Sequence, residues 1–133
     1  MNIPTRITPA EAAALPFPPG RLSSLVLGTP EIEVRYYAPK GVDNQTPHDQ
    51  DELYFVILGS GTFERGAEKV AFAAGDVLFA AAHEPHRFSN FTADFATWVL
   101  FYGAKKTLVT STCRATTAGS KDAQAPARTC AGA

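Results

Sequence analysis

The sequence holds only two cysteines, Cys113 and Cys130, and both fall near its C-terminal end. The patterned part of the chain is therefore expected to fold without a disulfide. It has no apolar run long enough to span a bilayer, which argues against a membrane-embedded protein. The N-terminus, MNIPTRITPAEAAALPF, lacks a basic start followed by a continuous apolar segment. No secretory signal is read there, and a cytoplasmic location is the expectation. Charge of one sign is also missing: 12 Lys and Arg stand against 13 Asp and Glu, a formal net charge of -1. That balance argues against an electrostatic nucleic-acid surface. Strand-length and helix-length patterns do not alternate, so a parallel βαβ architecture is not supported.

What is present suits one strand-rich domain. The 133 residues can bury a single core, and a 45% hydrophobic fraction with ten Gly and ten Pro fits short strands joined by tight turns. Thr8, Pro9 and Glu11 form a helix-start signature of N-cap, first helical position and capping-box acid; Pro16, Pro18, Pro19 and Gly20 end that helix early. Strands are read at 22–27, 32–37, 53–58, 61–65, 69–73, 77–81, 86–90 and 95–102, with turn residues between them. In the second strand Ile32, Val34 and Tyr36 alternate with Glu33, Arg35 and Tyr37, giving one buried and one wetter face. Such a series implies a β-sandwich or barrel. Residues 104–133 carry no aromatic residue, hold five basic side chains against the single acid Asp122, and lack apolar periodicity. They are expected to be disordered, either as a solvated extension, as a basic docking arm, or as a segment foreign to the fold.

Two stretches carry chemistry. His48 and Glu52 stand four residues apart at the mouth of the apolar run Leu53–Leu58. There they are either metal ligands or hydrogen-bonded surface residues. Further on, period-two geometry puts His86, Phe88 and Asn90 on one strand face, so His86 can point into the barrel. The face of Glu52 should also carry Tyr54 and Val56, with Leu53, Phe55 and Ile57 on the other side. Tyr36, Phe88 and one face of the 95–102 strand are candidates for the pocket wall.

These stretches resemble the two motifs of the cupin superfamily, small jelly-roll barrels, usually written G(X)5HXH(X)3,4E(X)6G and G(X)5PXG(X)2H(X)3N. His48, Glu52 and Gly59 match the end of the first; Gly75, His86 and Asn90 match the second. Thr46 occupies the place of the first motif histidine, and Gly41 lies one residue closer than the pattern asks. Ala81 and His83 replace the proline and glycine of the second motif. The resemblance covers residues from about 20 to 102. It implies an all-β double-stranded β-helix barrel at 21–103, behind an N-terminal extension at 1–20.

The resemblance also implies a divalent metal held by His48, Glu52 and His86. Two His and one carboxylate with open positions suit Fe(II) best, with Mn, Ni or Zn as other occupants. Thr46 would orient a metal-bound water. Gln45 should face away unless the strand is bulged, and His83 would replace the missing histidine if its loop folded over the mouth. Thr46, Tyr54, His83 and Phe88 are the candidate pocket residues. The implied function is a metal-dependent dioxygenase or isomerase acting on a small organic molecule. A metal-free module binding a small ligand or sugar, and a structural dimer with a packed barrel, are the alternatives. A homodimer pairing through the edge strands 22–27 and 32–37 is expected.

Overall fold

A computed structural model describes residues 3–19 and 22–106. The chain runs α1 (Pro9–Ala13), β1 (Ser24–Gly28), β2 (Ile32–Tyr37), β3 (Asp51–Leu58), β4 (Ser60–Arg65), β5 (Glu68–Ala73), β6 (Val77–Ala80), β7 (His86–Ser89) and β8 (Ala96–Tyr102). Two antiparallel sheets face each other as the jelly-roll reading requires: five strands in the order β1-β2-β8-β3-β6, and three in the order β5-β4-β7. The junction expected between residues 20 and 21 lies outside the described residues, as do Cys113 and Cys130.

Local chemistry explains most boundaries. The Thr8 hydroxyl accepts the Glu11 N–H at 3.2 Å while the Glu11 carboxylate accepts the Thr8 N–H at 2.8 Å, closing the expected capping box on α1. Between the sheets the core is largely aromatic. Phe88 is its hub, with ring centroids 4.9 Å from Tyr54, 5.1 Å from Phe63, 5.4 Å from Phe72 and 4.8 Å from Phe95. These are edge-on and tilted packings, the arrangements that ring quadrupoles favour.

On β3 the expected faces are observed: Glu52, Tyr54 and Val56 are buried, whereas Phe55 is exposed. On β2 the expectation is reversed. Arg35 and Tyr37 are buried inside the barrel, and Tyr36, expected in the pocket wall, lies on the outer face with its ring edge toward Trp98 at 5.8 Å. Alternation divides a strand into two sets but does not say which set points inward. Here the polar set wins because it faces a polar cavity. Strand β1 is an edge of its sheet as expected, but β2 is not, since it pairs with both β1 and β8.

Residues 104–106, expected to be disordered with the rest of the tail, lie against the loop before β3. The Lys106 N–H donates to the Asp49 carbonyl at 2.6 Å, and Lys106 Nζ donates to Asp51 Oδ2 at 2.8 Å. The remainder of that expectation, 107–133, lies outside the described residues.

Candidate metal centre

Three elements bring the motif residues together. Glu52, near the start of β3, alternates inward and is fully buried. His86 opens β7 and is buried beside it, and His48 reaches in from the irregular segment ahead of β3. Each offers one ligand atom, and the three atoms lie within 4.8 Å of one another. Nε2 of His86 is 3.2 Å from Glu52 Oε2, and Nε2 of His48 is 3.8 Å from the same oxygen. The shorter approach lacks hydrogen-bond geometry, leaving Glu52 Oε2 and His86 Nε2 buried with no hydrogen-bond partner. Two buried polar atoms that face each other without a hydrogen bond are costly. A cation between them removes that cost, so the donor set fits a divalent ion.

The surroundings hold each ligand in place. The Glu84 carbonyl lies 2.7 Å from His86 Nδ1, which puts the ring proton on Nδ1 and leaves the Nε2 lone pair aimed at Glu52. The Tyr54 hydroxyl lies 2.7 Å from Glu52 Oε1 and 3.0 Å from Gln45 Oε1. The ring of His48 stands edge-on to Phe101 at 5.0 Å, and its backbone carbonyl accepts the His83 N–H at 2.6 Å. Burial opposes protonation of His86, but the Glu52 carboxylate and the Glu84 carbonyl outweigh it and raise its pKa. Burial, followed by the neighbouring Glu52 charge, pushes the Tyr54 phenol well above its ordinary value. Tyr54 is thus a neutral hydrogen-bonding group.

His48 and Glu52 open onto a cavity of about 640 Å³, whose wall also includes Glu33, Arg35, Tyr37, Thr46, Val99 and Phe101. The pattern of the family described as "Cupin domain" matches residues 34–102, which contain all three ligand candidates. The chain belongs to the cupin family. Among curated proteins, this cupin is 37% identical over 59 residues to an uncharacterized protein of Streptomyces coelicolor; the match spans 44% of this chain and 56% of that protein. Among solved structures it resembles a cupin 2 conserved barrel domain protein from Salinispora arenicola, with a TM-score of 0.59 and 19% identity over 76% of this chain and 91% of that one. It also resembles KdgF from Halomonas sp., with a TM-score of 0.55 and 22% identity over 62% and 80% of the respective chains.

Against the cupin motifs, the structure sorts the other candidates. Thr46 lines the cavity but is exposed. Gln45, expected to face away, turns inward to Tyr54, and its side-chain amide donates to Asp43 Oδ2 at 2.7 Å. The reason is local: residues 44–50 form no strand, so strict alternation does not apply, and the Asp43 carboxylate captures both the backbone N–H and the side chain of Gln45. Tyr54 sits behind Glu52 rather than in the cavity wall, and Phe88 belongs to the core. His83 stands outside the cavity wall with its ring against the Lys106 carbonyl. Its φ of 65° explains why a glycine suits this place in the motif. Two residues escaped sequence reasoning: Asp43, a buried carboxylate beneath the site, and Arg35, a buried cation in the cavity wall. The signal for Arg35 was its place on a strand face shared with Tyr37.

Proposed function

We propose that this cupin binds a divalent metal ion through His48, Glu52 and His86 and acts on a small organic molecule held in the adjoining cavity. The observation that carries the reading is the pair of buried atoms, Glu52 Oε2 and His86 Nε2, that face each other 3.2 Å apart without a hydrogen bond and within reach of His48. Fe(II) suits this two-His, one-carboxylate set best, with Mn, Ni or Zn as other occupants. When bound, the ion would supply Lewis-acid or oxygen-activating chemistry of the kind dioxygenases and isomerases use on molecules that chelate through two oxygens. The chain's own residues supply the rest. Glu84 orients His86 through its carbonyl, Tyr54 steadies Glu52, and Phe101 covers the ring of His48. We further propose a cytoplasmic homodimer that uses the β1 edge. Supporting the dimer are the side of β1 that no strand pairs among the described residues and the exposed Leu25. Among the described residues no helix is long and apolar enough to cross a membrane.

Elemental analysis of protein purified without added metal or chelator tests the reading, with His48→Ala and His86→Ala beside it. Near-stoichiometric metal, lost in both variants, is the expected result. No metal in the parent protein, even after anaerobic loading with Fe(II), would overturn it. A second reading, a non-catalytic module for a small ligand or sugar, is favoured by the amide and hydroxyl groups of Asn44, Gln45, Thr46 and Gln50 around the cavity. It predicts ligand-dependent thermal stabilisation that persists after chelation.

A further inference from the structure

The three candidate ligands are not held alike. Glu52 and His86 stand on strands, with side chains 1% and 0% exposed. The His48 side chain is 37% exposed, and its segment, 44–50, forms no strand. A backbone outside a ladder is located by whatever else bonds its N–H and C=O groups. Two other segments of the chain do this for His48. From the loop ahead of β7, the His83 N–H donates to the His48 carbonyl at 2.6 Å. From the segment after β8, the Lys106 N–H donates to the Asp49 carbonyl at 2.6 Å, and beside it Gln50 Nε2 donates to the Gly103 carbonyl at 2.8 Å. The His83 ring also meets the Lys106 carbonyl, tying the two segments to each other.

Both segments converge on one carboxylate. Asp51, the first residue of β3, accepts the Ala82 N–H on Oδ1 at 2.9 Å and the Lys106 ammonium on Oδ2 at 2.8 Å. Its side chain is 19% exposed. The path on the loop side is short: Asp51 holds Ala82, and the next residue, His83, holds His48. His83 makes that contact at a φ of 65°. Such a conformation is costly for a residue with a side chain and persists where the surroundings over-determine it.

We propose that Asp51 is a positioning residue for the metal centre. Through Ala82 and His83 on one side and Lys106 on the other, it clasps the His48 segment and keeps the imidazole within reach of Glu52 and His86. This rests on the metal reading above. Each Asp51 oxygen is taken by a donor of the clasp, so Asp51 acts through His48 and not as a fourth ligand. Simple attraction of a cation by a nearby negative charge is a different role, and it predicts different signs. Asp51→Asn loses the charge but keeps an oxygen for the Ala82 N–H, whereas Asp51→Ala loses both. Lys106→Met removes a positive charge, which on charge grounds alone tightens metal binding; loosening the clasp weakens it.

The test is the Zn(II) dissociation constant of the full chain, measured by chelator competition at fixed pH and salt, beside the urea midpoint of the metal-free protein. Asp51→Ala should weaken zinc binding about ten-fold or more, the size of effect expected when a group that orients a metal ligand is lost. Asp51→Asn should stay within about three-fold of the parent, and Lys106→Met should weaken binding about two- to three-fold, as befits an exposed ion pair. An Asp51 with a purely structural role would lower the urea midpoint and leave the zinc affinity of the folded protein unchanged. Parent-like affinity in Asp51→Ala, or Asp51→Asn as weak as Asp51→Ala, would overturn the proposal while leaving the metal reading intact. If Asp51→Ala does not fold, Lys106→Met decides: weaker binding supports the clasp, and unchanged or tighter binding overturns it. A parent protein that takes up no zinc would overturn both readings.

Discussion

Asp43 Oδ2 accepts the backbone N–H of Phe88 at 2.8 Å, joining the loop ahead of His48 to the strand that presents His86. The same carboxylate accepts the Tyr37 hydroxyl, the Gln45 N–H at 3.0 Å and the Gln45 amide at 2.7 Å, while only 5% exposed. One buried side chain thus holds both halves of the candidate metal centre in register.

Asp43→Ala should therefore be among the most damaging single changes in the chain. It strands buried donors, with a cost on the order of 3 kcal/mol or more in urea denaturation. Asp43→Asn keeps the shape but not the charge or full acceptor capacity. It should fold with a smaller loss and retain less metal than the parent, because the Gln45–Tyr54–Glu52 contacts lose their foundation.

His83 holds a left-handed backbone conformation where the cupin motif has glycine. His83→Gly should relieve that strain while losing the ring contact to Lys106 and adding unfolded-chain entropy, leaving stability within about 1 kcal/mol of the parent. His83→Val puts a β-branched residue in the same conformation and should cost more than about 1 kcal/mol. Matched urea curves for the two variants check the contrast, and equal destabilisation would contradict it.

Burial, then the hydrogen bond and charge of Asp43, raise the pKa of the Tyr37 phenol so far that the folded chain keeps its proton. The unfolded chain loses it near a pH of about 10. Above that value the folded state binds more protons than the unfolded state, so stability falls as pH rises; below it the contribution is fully present. The urea midpoint should fall between about pH 9 and pH 11, and fall less steeply in Tyr37→Phe. Identical slopes would show that this phenol ionises equally in both states.

Gly59, the last glycine of the first motif, has a φ of 86°, and a Cβ there would lie 2.6 Å from Thr92 Oγ1 and 2.7 Å from Phe95 Cα. Neither the backbone angle nor the space accommodates a side chain. Gly59→Ala should cost about 2–3 kcal/mol by thermal denaturation, and an unchanged midpoint would count against this packing.

The capping box of α1 was legible in the sequence because its two residues stand three apart, and the inward set Glu52, Tyr54, Val56 because it follows period-two geometry. Gly59 was legible through its place at the end of the first motif. What escaped depends on distant partners. Arg35 is buried because Ser23 and Glu33 receive it, and Asp43 is buried because a strand 45 residues onward supplies one of its donors. Alternation marked two faces of β2 and could not choose between them. In the segment leading to His48 there is no strand, so the rule that set Thr46 inward and Gln45 outward had nothing to act on.

Lys106 sits on the rim, fastened to Asp49 and Asp51, with Lys105 already part of the cavity wall. The segment that follows the last strand thus closes back onto the residues that open β3, so the two stretches share one rim of the cavity and a change in either alters the same opening.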